Sequence, residues 1–178
     1  MSMDILQEKI LEKQNPTVVG LDPRPEYVPE EIRARHFAEK GETLEALADA
    51  YLEFNKGLMD ALADFVPAVK PQSAYYELLG WQGLRCLKET VDYAHSLGLY
   101  VLADVKRGDI GSTAEAYSEA YLGHVQVGSQ SIAPFACDAV TVNGYLGSDG
   151  IKPFIETCKT QNKAIFVLVK TSNPSSAE

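Results

Sequence analysis

Short, uniformly apolar runs alternate along the chain with longer amphipathic stretches. The runs are Thr17-Val18-Val19-Gly20-Leu21, Val66-Pro67-Ala68-Val69, Leu99-Tyr100-Val101-Leu102-Ala103, Ala139-Val140-Thr141-Val142 and Ala164-Ile165-Phe166-Val167-Leu168-Val169. None shows a strict apolar–polar alternation, so each suits a strand buried on both faces of a parallel sheet. Between them the period lengthens. Leu44, Leu47, Ala48, Tyr51, Leu58, Ala61, Leu62 and Phe65 recur at three- and four-residue spacing and predict a helix over 43–65. A second helix is predicted over 81–97, stopped by Gly98 as a C′ glycine. A third is predicted to begin at Ser112, where Ser112-Thr113-Ala114-Glu115 reads as a capping box, and a fourth to cover 151–160.

Strand–helix repetition of this kind gives an α/β fold with a parallel sheet. The predicted strands end at Asp22, Lys70, Asp104, Asn143 and Lys170. Either a doubly wound sheet or a (β/α)8 barrel fits, and the lack of a GxGxxG segment after the first strand weakens the dinucleotide-binding version of the former. A barrel takes roughly 250 residues. This chain has 178 residues and stops just after its fifth strand. The expectation is a single, C-terminally incomplete barrel domain over residues 1–178, covering about five βα units and leaving a strand edge unpaired.

Composition narrows the function. A net charge of −9 argues against nucleic-acid binding, which needs a basic face, yet leaves room for one small phosphorylated substrate held by local lysines. Cys86, Cys137 and Cys158 are widely spaced and form no CxxC pair, so neither a zinc site nor a disulfide framework is expected. The charged N-terminus does not read as a signal peptide, and no apolar run approaches the roughly 20 residues of a membrane span. A cytoplasmic protein is the expectation.

In parallel α/β folds ligands sit beyond the carboxyl ends of the strands, so five strands ending in polar or charged residues point to one shared mouth. The densest cluster is Asp104, Lys106 and Asp109. In extended chain Asp104 and Lys106 lie on one side. Carboxylates on either side hold a lysine in its protonated form, which makes it a poor base and a good proton donor to a carbanion. The alternative is a salt-bridged turn capping the following helix, and spacing alone does not choose between them.

The stretch Asp104-Val105-Lys106-Arg107-Gly108-Asp109-Ile110-Gly111-Ser112-Thr113 closely resembles the signature of the orotidine 5′-phosphate decarboxylases, in its bacterial D-x-K-R-G-D-I-G-S-T form. Supporting segments follow in the family's order: Val-Gly-Leu-Asp22-Pro, Ala-Val-Lys70-Pro-Gln, Thr-Val-Asn143-Gly-Tyr and Val-Lys-Thr-Ser172-Asn-Pro. The resemblance implies a homodimeric TIM-barrel enzyme that turns orotidine 5′-monophosphate into UMP without cofactor or metal. It implies that Lys70, Asp104, Lys106 and Asp109 form an alternating charge array, with Asp104 against the departing carboxylate and Lys106 delivering a proton to C6. Asp22 is then a ligand of the ribose or of its neighbouring lysine. Asp109, Ile110 and Thr113 reach into the partner's site, Ser172 reads the pyrimidine edge, and Asn143 supports. Arg107 and Lys170 are bystanders in this reading.

The family's phosphate-gripping glutamine and arginine belong to later strands, so the resemblance implies that this chain carries the catalytic charges without that grip. Two other readings stand beside it. One is a magnesium-dependent sugar-phosphate decarboxylase or synthase of the same superfamily. The other is a catalytically incompetent fragment that serves as a dimerising scaffold.

Overall fold

The computed structural model describes residues 2–176, arranged as two compact units: Met3–Asp104, and Val105 onward together with Ser2. Most of α1 (Ser2–Lys13) opens the first unit, followed by β1 (Val18–Leu21), α2 (Glu30–Lys40), α3 (Leu44–Leu62), β2 (Ala68–Pro71), α4 (Ser73–Glu77) and α5 (Gly80–Ser96). Strand β3 (Tyr100–Arg107) then passes from the first unit into the second, which continues with α6 (Gly111–Tyr121), β4 (Val125–Val127), β5 (Gln130–Ile132), β6 (Ala139–Asn143), α7 (Ser148–Gln161) and β7 (Ala164–Leu168).

In the first unit β1, β2 and β3 follow one another in the sheet, in parallel, with Val18 opposite Ala68 and Ala68 opposite Tyr100. In the second the end of β3 is followed by β6 and β7, the latter two parallel with Ala139 opposite Ala164. Strand order therefore follows chain order within each unit. A doubly wound sheet reverses that order at its switch point, whereas successive units of a (β/α)8 barrel do not.

The expectation of doubly buried strands holds for β2, β3 and β6, where Ala68, Val69, Val101, Ala103, Val140 and Val142 are buried. Strands β1 and β7 differ: Val18 is 38% exposed, and Phe166 and Val167 are 36% and 38% exposed, although these runs are as apolar as the others.

Helix α3 starts where the pattern placed it, because the Thr43 side chain accepts a hydrogen bond from the Ala46 amide and satisfies one free donor of the first turn. It ends at Leu62, and Leu44 and Phe65, expected on its apolar face, are 50% and 64% exposed. The buried stripe keeps Ala48 and Tyr51 from the expected face and adds Leu52, Asn55 and Met59, on a helix that packs against α2 and α5. Gly98 terminates α5 as expected. Its φ is +72°, its amide donates to the His95 carbonyl, and the Leu99 amide donates to that of Ala94, which is a Schellman closure.

Three features were not foreseen. The segment after β1 contains α2, a helix with no buried residue that is tied to α3 by polar side chains: Arg35 and His36 both reach Glu53, and Lys40 reaches Glu45 and Asp49. The N-terminal segment forms α1, anchored by Lys9 on the Gly98 carbonyl at 2.6 Å. A small antiparallel hairpin, β4–β5, precedes β6. Among the described residues no helix is long and apolar enough to cross a membrane.

Candidate active site

In the first unit the candidate residues gather at the carboxyl ends of β1, β2 and β3. The Lys70 ammonium lies 3.1 Å from Oδ2 of Asp104, and the Gln72 side-chain amide donates to the same oxygen at 2.9 Å. The Asp104 side chain is 11% exposed and that of Lys70 is 30% exposed. A carboxylate so nearly desolvated is costly unless donors surround it, and here a cation and a neutral amide converge on one oxygen. Gln72 carries no charge and was not singled out in the sequence. Its approach to Asp104 comes from strand pairing across 32 residues, reinforced by a backbone bridge between the two positions.

Asp22 directly follows β1, one residue beyond the Leu21–Pro71 pair, and the Gln72 amide donates to the Leu21 carbonyl. The Asp22 Oδ1 atom is buried and receives no hydrogen bond from the described residues. Such an acceptor calls for an explanation, and a ligand hydroxyl would supply the missing donor. The backbone beneath it is fixed from inside the unit. The Tyr76 hydroxyl donates to the Leu21 carbonyl at 3.2 Å, and Asn55 donates through Nδ2 to Tyr76 and to Thr90. Burial pushes the Tyr76 hydroxyl well above its ordinary pKa, so it remains a proton donor.

In the second unit the signature segment takes a different form from an extended strand. Lys106, within β3, has φ +46°, a left-handed conformation that costs a non-glycine residue roughly 1–2 kcal/mol. The premise that Asp104 and Lys106 share a side in extended chain therefore does not apply to Lys106. The turn is held by β6: the Thr141 hydroxyl oxygen accepts from the amides of both Val105, at 3.0 Å, and Lys106, at 2.9 Å.

Arg107 is a structural bolt. It donates to the Val105 carbonyl at 2.8 Å and lies over the rings of Tyr117 and Tyr121. Gly108 passes so close to Asn143 that an added Cβ would come within 3.1 Å of its backbone oxygen. Asn143 itself accepts from the Tyr145 amide through Oδ1.

Asp109 accepts from the Ile110 amide at 2.8 Å, and its carbonyl oxygen lies where a Cβ on Gly150 would meet it at 3.0 Å. The capping box does not form. Ile110 is the N-cap, with no side-chain cap, and Gly111 follows at φ +54°, so the cap falls two residues before Ser112. Ser112 then falls inside the first turn, where its side chain is not the helix cap. Ile110 is 54% exposed and Thr113 is exposed. Ser172 lies exposed in a bend beyond β7, and Lys170, between β7 and that bend, is exposed too.

A cavity of about 700 Å3 opens between α6 and α7, beside Ile110. Glu115, Glu119, Asp149 and Glu156 line it with a single cation, Lys152. Four carboxylates against one ammonium disfavour a phosphate ester, so the lysine-bearing strand ends are the better candidate for an anionic substrate.

Successive parallel β/α units with charged side chains at their carboxyl ends define a protein of the (β/α)8-barrel class. The sequence matches the orotidine 5′-phosphate decarboxylase / HUMPS family over residues 17–178, and the chain belongs to that family. It is 46% identical over 169 residues to an orotidine 5′-phosphate decarboxylase of Rhodopirellula baltica, covering 95% of this chain and 54% of that one. A decarboxylase of the same name from Caldicellulosiruptor saccharolyticus is 41% identical, covering 98% and 57%. The solved structure of Leishmania donovani OMP decarboxylase superposes with a TM-score of 0.75 at 31% identity, covering 99% of this chain and 56% of that one. The chain thus spans about half the length of the relatives it matches.

Proposed function

We propose that the full-length protein carrying this segment decarboxylates orotidine 5′-monophosphate to UMP, a step of pyrimidine biosynthesis. The observation that carries the reading is the Asp104 carboxylate clamped by Lys70 and Gln72, two residues before a lysine held in a strained turn, within a chain of this family. Cleavage of the C6–carboxylate bond releases CO2 and leaves the electron pair on C6. Lys106 gives its Nζ proton to C6, forming UMP, and recovers a proton from solvent. A fixed ammonium stabilises the developing charge as well as quenching it. Asp104 lies beside the departing carboxylate, held by Lys70. The unsatisfied Asp22 oxygen accepts from a ribose hydroxyl, Ser172 reads the pyrimidine edge, and Asn143 supports the Gly108 turn.

The phosphate grip lies outside these residues in this reading, and remote binding energy of that kind lowers the barrier at the reacting carbon. The test is therefore made on the full-length protein, by following the loss of substrate absorbance with and without added Mg2+. Turnover without added metal, unchanged by a chelator, is expected. A strict metal requirement would favour a sugar-phosphate enzyme of the same family, and no turnover by folded full-length protein would favour a scaffold.

The protein acts as a homodimer in the cytoplasm, binding neither nucleic acid nor membrane, with Asp109, Ile110 and Thr113 completing the partner's site. The exposed apolar Ile110 at the start of α6 supports a contact there. Mixing separately inactive Lys106→Ala and Asp109→Ala proteins should restore activity once subunits exchange. Proven exchange without recovery would rule out the shared site. Cell fractionation checks the compartment.

A further inference from the structure

Thr141 lies in β6, 35 residues beyond Lys106, and nothing in its residue type marks it for chemistry. Yet its single hydroxyl oxygen takes both amides, Val105 and Lys106, that enter the left-handed turn. A left-handed non-glycine residue persists only where its surroundings over-determine it, and here two hydrogen bonds to one atom do so. Of the side chains near the turn, the Thr141 hydroxyl is the one that takes both amides. Arg107 binds the Val105 carbonyl and leaves the amides to Thr141.

We propose that Thr141 is a positioning residue for Lys106: by fixing the two amides it sets the direction in which the Lys106 ammonium leaves the strand. This rests on the reading of Lys106 as the proton donor. Thr141 touches no reacting atom in this scheme and acts through the backbone. Valine at this position keeps the branched shape while removing the acceptor, so both amides lose their partner. Serine keeps the oxygen and loses one methyl group.

The test uses the full-length protein with Thr141→Val and Thr141→Ser. Thr141→Val should lower kcat roughly 10- to 100-fold, the scale on which a misplaced catalytic group acts, while KM stays within about threefold. Thr141→Ser should keep kcat within about threefold of the unsubstituted protein. Backbone amide exchange at Val105 and Lys106 should be slow in the unsubstituted and serine proteins and fast in the valine protein.

A valine variant with unchanged kcat, or a serine variant as impaired as the valine one, overturns the proposal. Unchanged amide protection in the valine variant removes the anchor while leaving the decarboxylase reading untouched. An unsubstituted protein that does not turn over overturns that reading, and the assigned effect on kcat with it, even where the exchange pattern is as expected.

Discussion

Lys106→Ala should reduce kcat by about 10^4-fold or more in the full-length protein and leave the fold intact. The size follows from two losses at one atom. General-acid catalysis is worth roughly 10^2- to 10^4-fold, and a preorganised charge facing the developing carbanion roughly another 10^2- to 10^3-fold. The two overlap, because the same ammonium supplies both, so the lower part of their product is the sensible expectation. Stability should change little. Lys106 is exposed, so truncation leaves no cavity, and its amide stays bound to Thr141. Substrate turnover and thermal unfolding of the same samples check this together. A variant that retains kcat within tenfold ends the proton-donor role, and one that is inactive because it is unfolded would show in the melt.

The largest structural effect is expected at a residue with no side chain. A Cβ on Gly83 would lie 1.8 Å from the Tyr76 carbonyl oxygen and 2.9 Å from the Leu79 Cβ. The first contact is with backbone, so no rotamer change relieves it, and the first turn of α5 must move away from α4. Tyr76 is fully buried and its hydroxyl holds the Leu21 carbonyl, so the strain is passed to a packed neighbourhood. Gly83→Ala should cost about 3–5 kcal/mol, above the roughly 1–3 kcal/mol of ordinary overpacking because the clash is with backbone. Urea unfolding of the full-length protein measures it. A loss below about 1 kcal/mol would mean that the α4–α5 contact yields easily. Asp22 follows the strand end that Tyr76 braces, so a rise in KM should accompany the loss.

The visibility of each element in the sequence depended on how much of its signal was local. Strands β2, β3 and β6 were legible because burial on both faces demands an unbroken apolar run. Gly98 was legible because a left-handed helix terminus favours glycine whatever lies around it. By contrast, α2 buries nothing and is kept in place by partners on α3, up to 18 residues away. Its sequence, Glu-Glu-Ile-Arg-Ala-Arg-His-Phe-Ala-Glu-Lys, has no apolar stripe to read. The β4–β5 hairpin offers three residues per strand, with Val125, Val127 and Ile132 all exposed, too short and too open for a period to register. At α6 the local rule misled: Ser112 and Glu115 have capping-box spacing, but the N-cap is Ile110, two residues earlier, followed by Gly111 at positive φ.

The candidate site divides in the same way. Asp22, Lys70, Asp104 and Asn143 could be named from sequence because charged or polar residues at the ends of apolar runs form a pattern along the chain, and Lys106 and Asp109 because they cluster with Asp104 in the signature segment. So could the alternation of strand and helix that carries them. Only the tertiary structure decided that Gln72 shares an Asp104 oxygen with Lys70, that Asp22 keeps a buried oxygen without a donor, and that Thr141 pins the turn at Lys106. These contacts join residues 32 to 36 positions apart. They depend on the register between strands, which packing fixes across the sheet and no window of neighbouring residues contains.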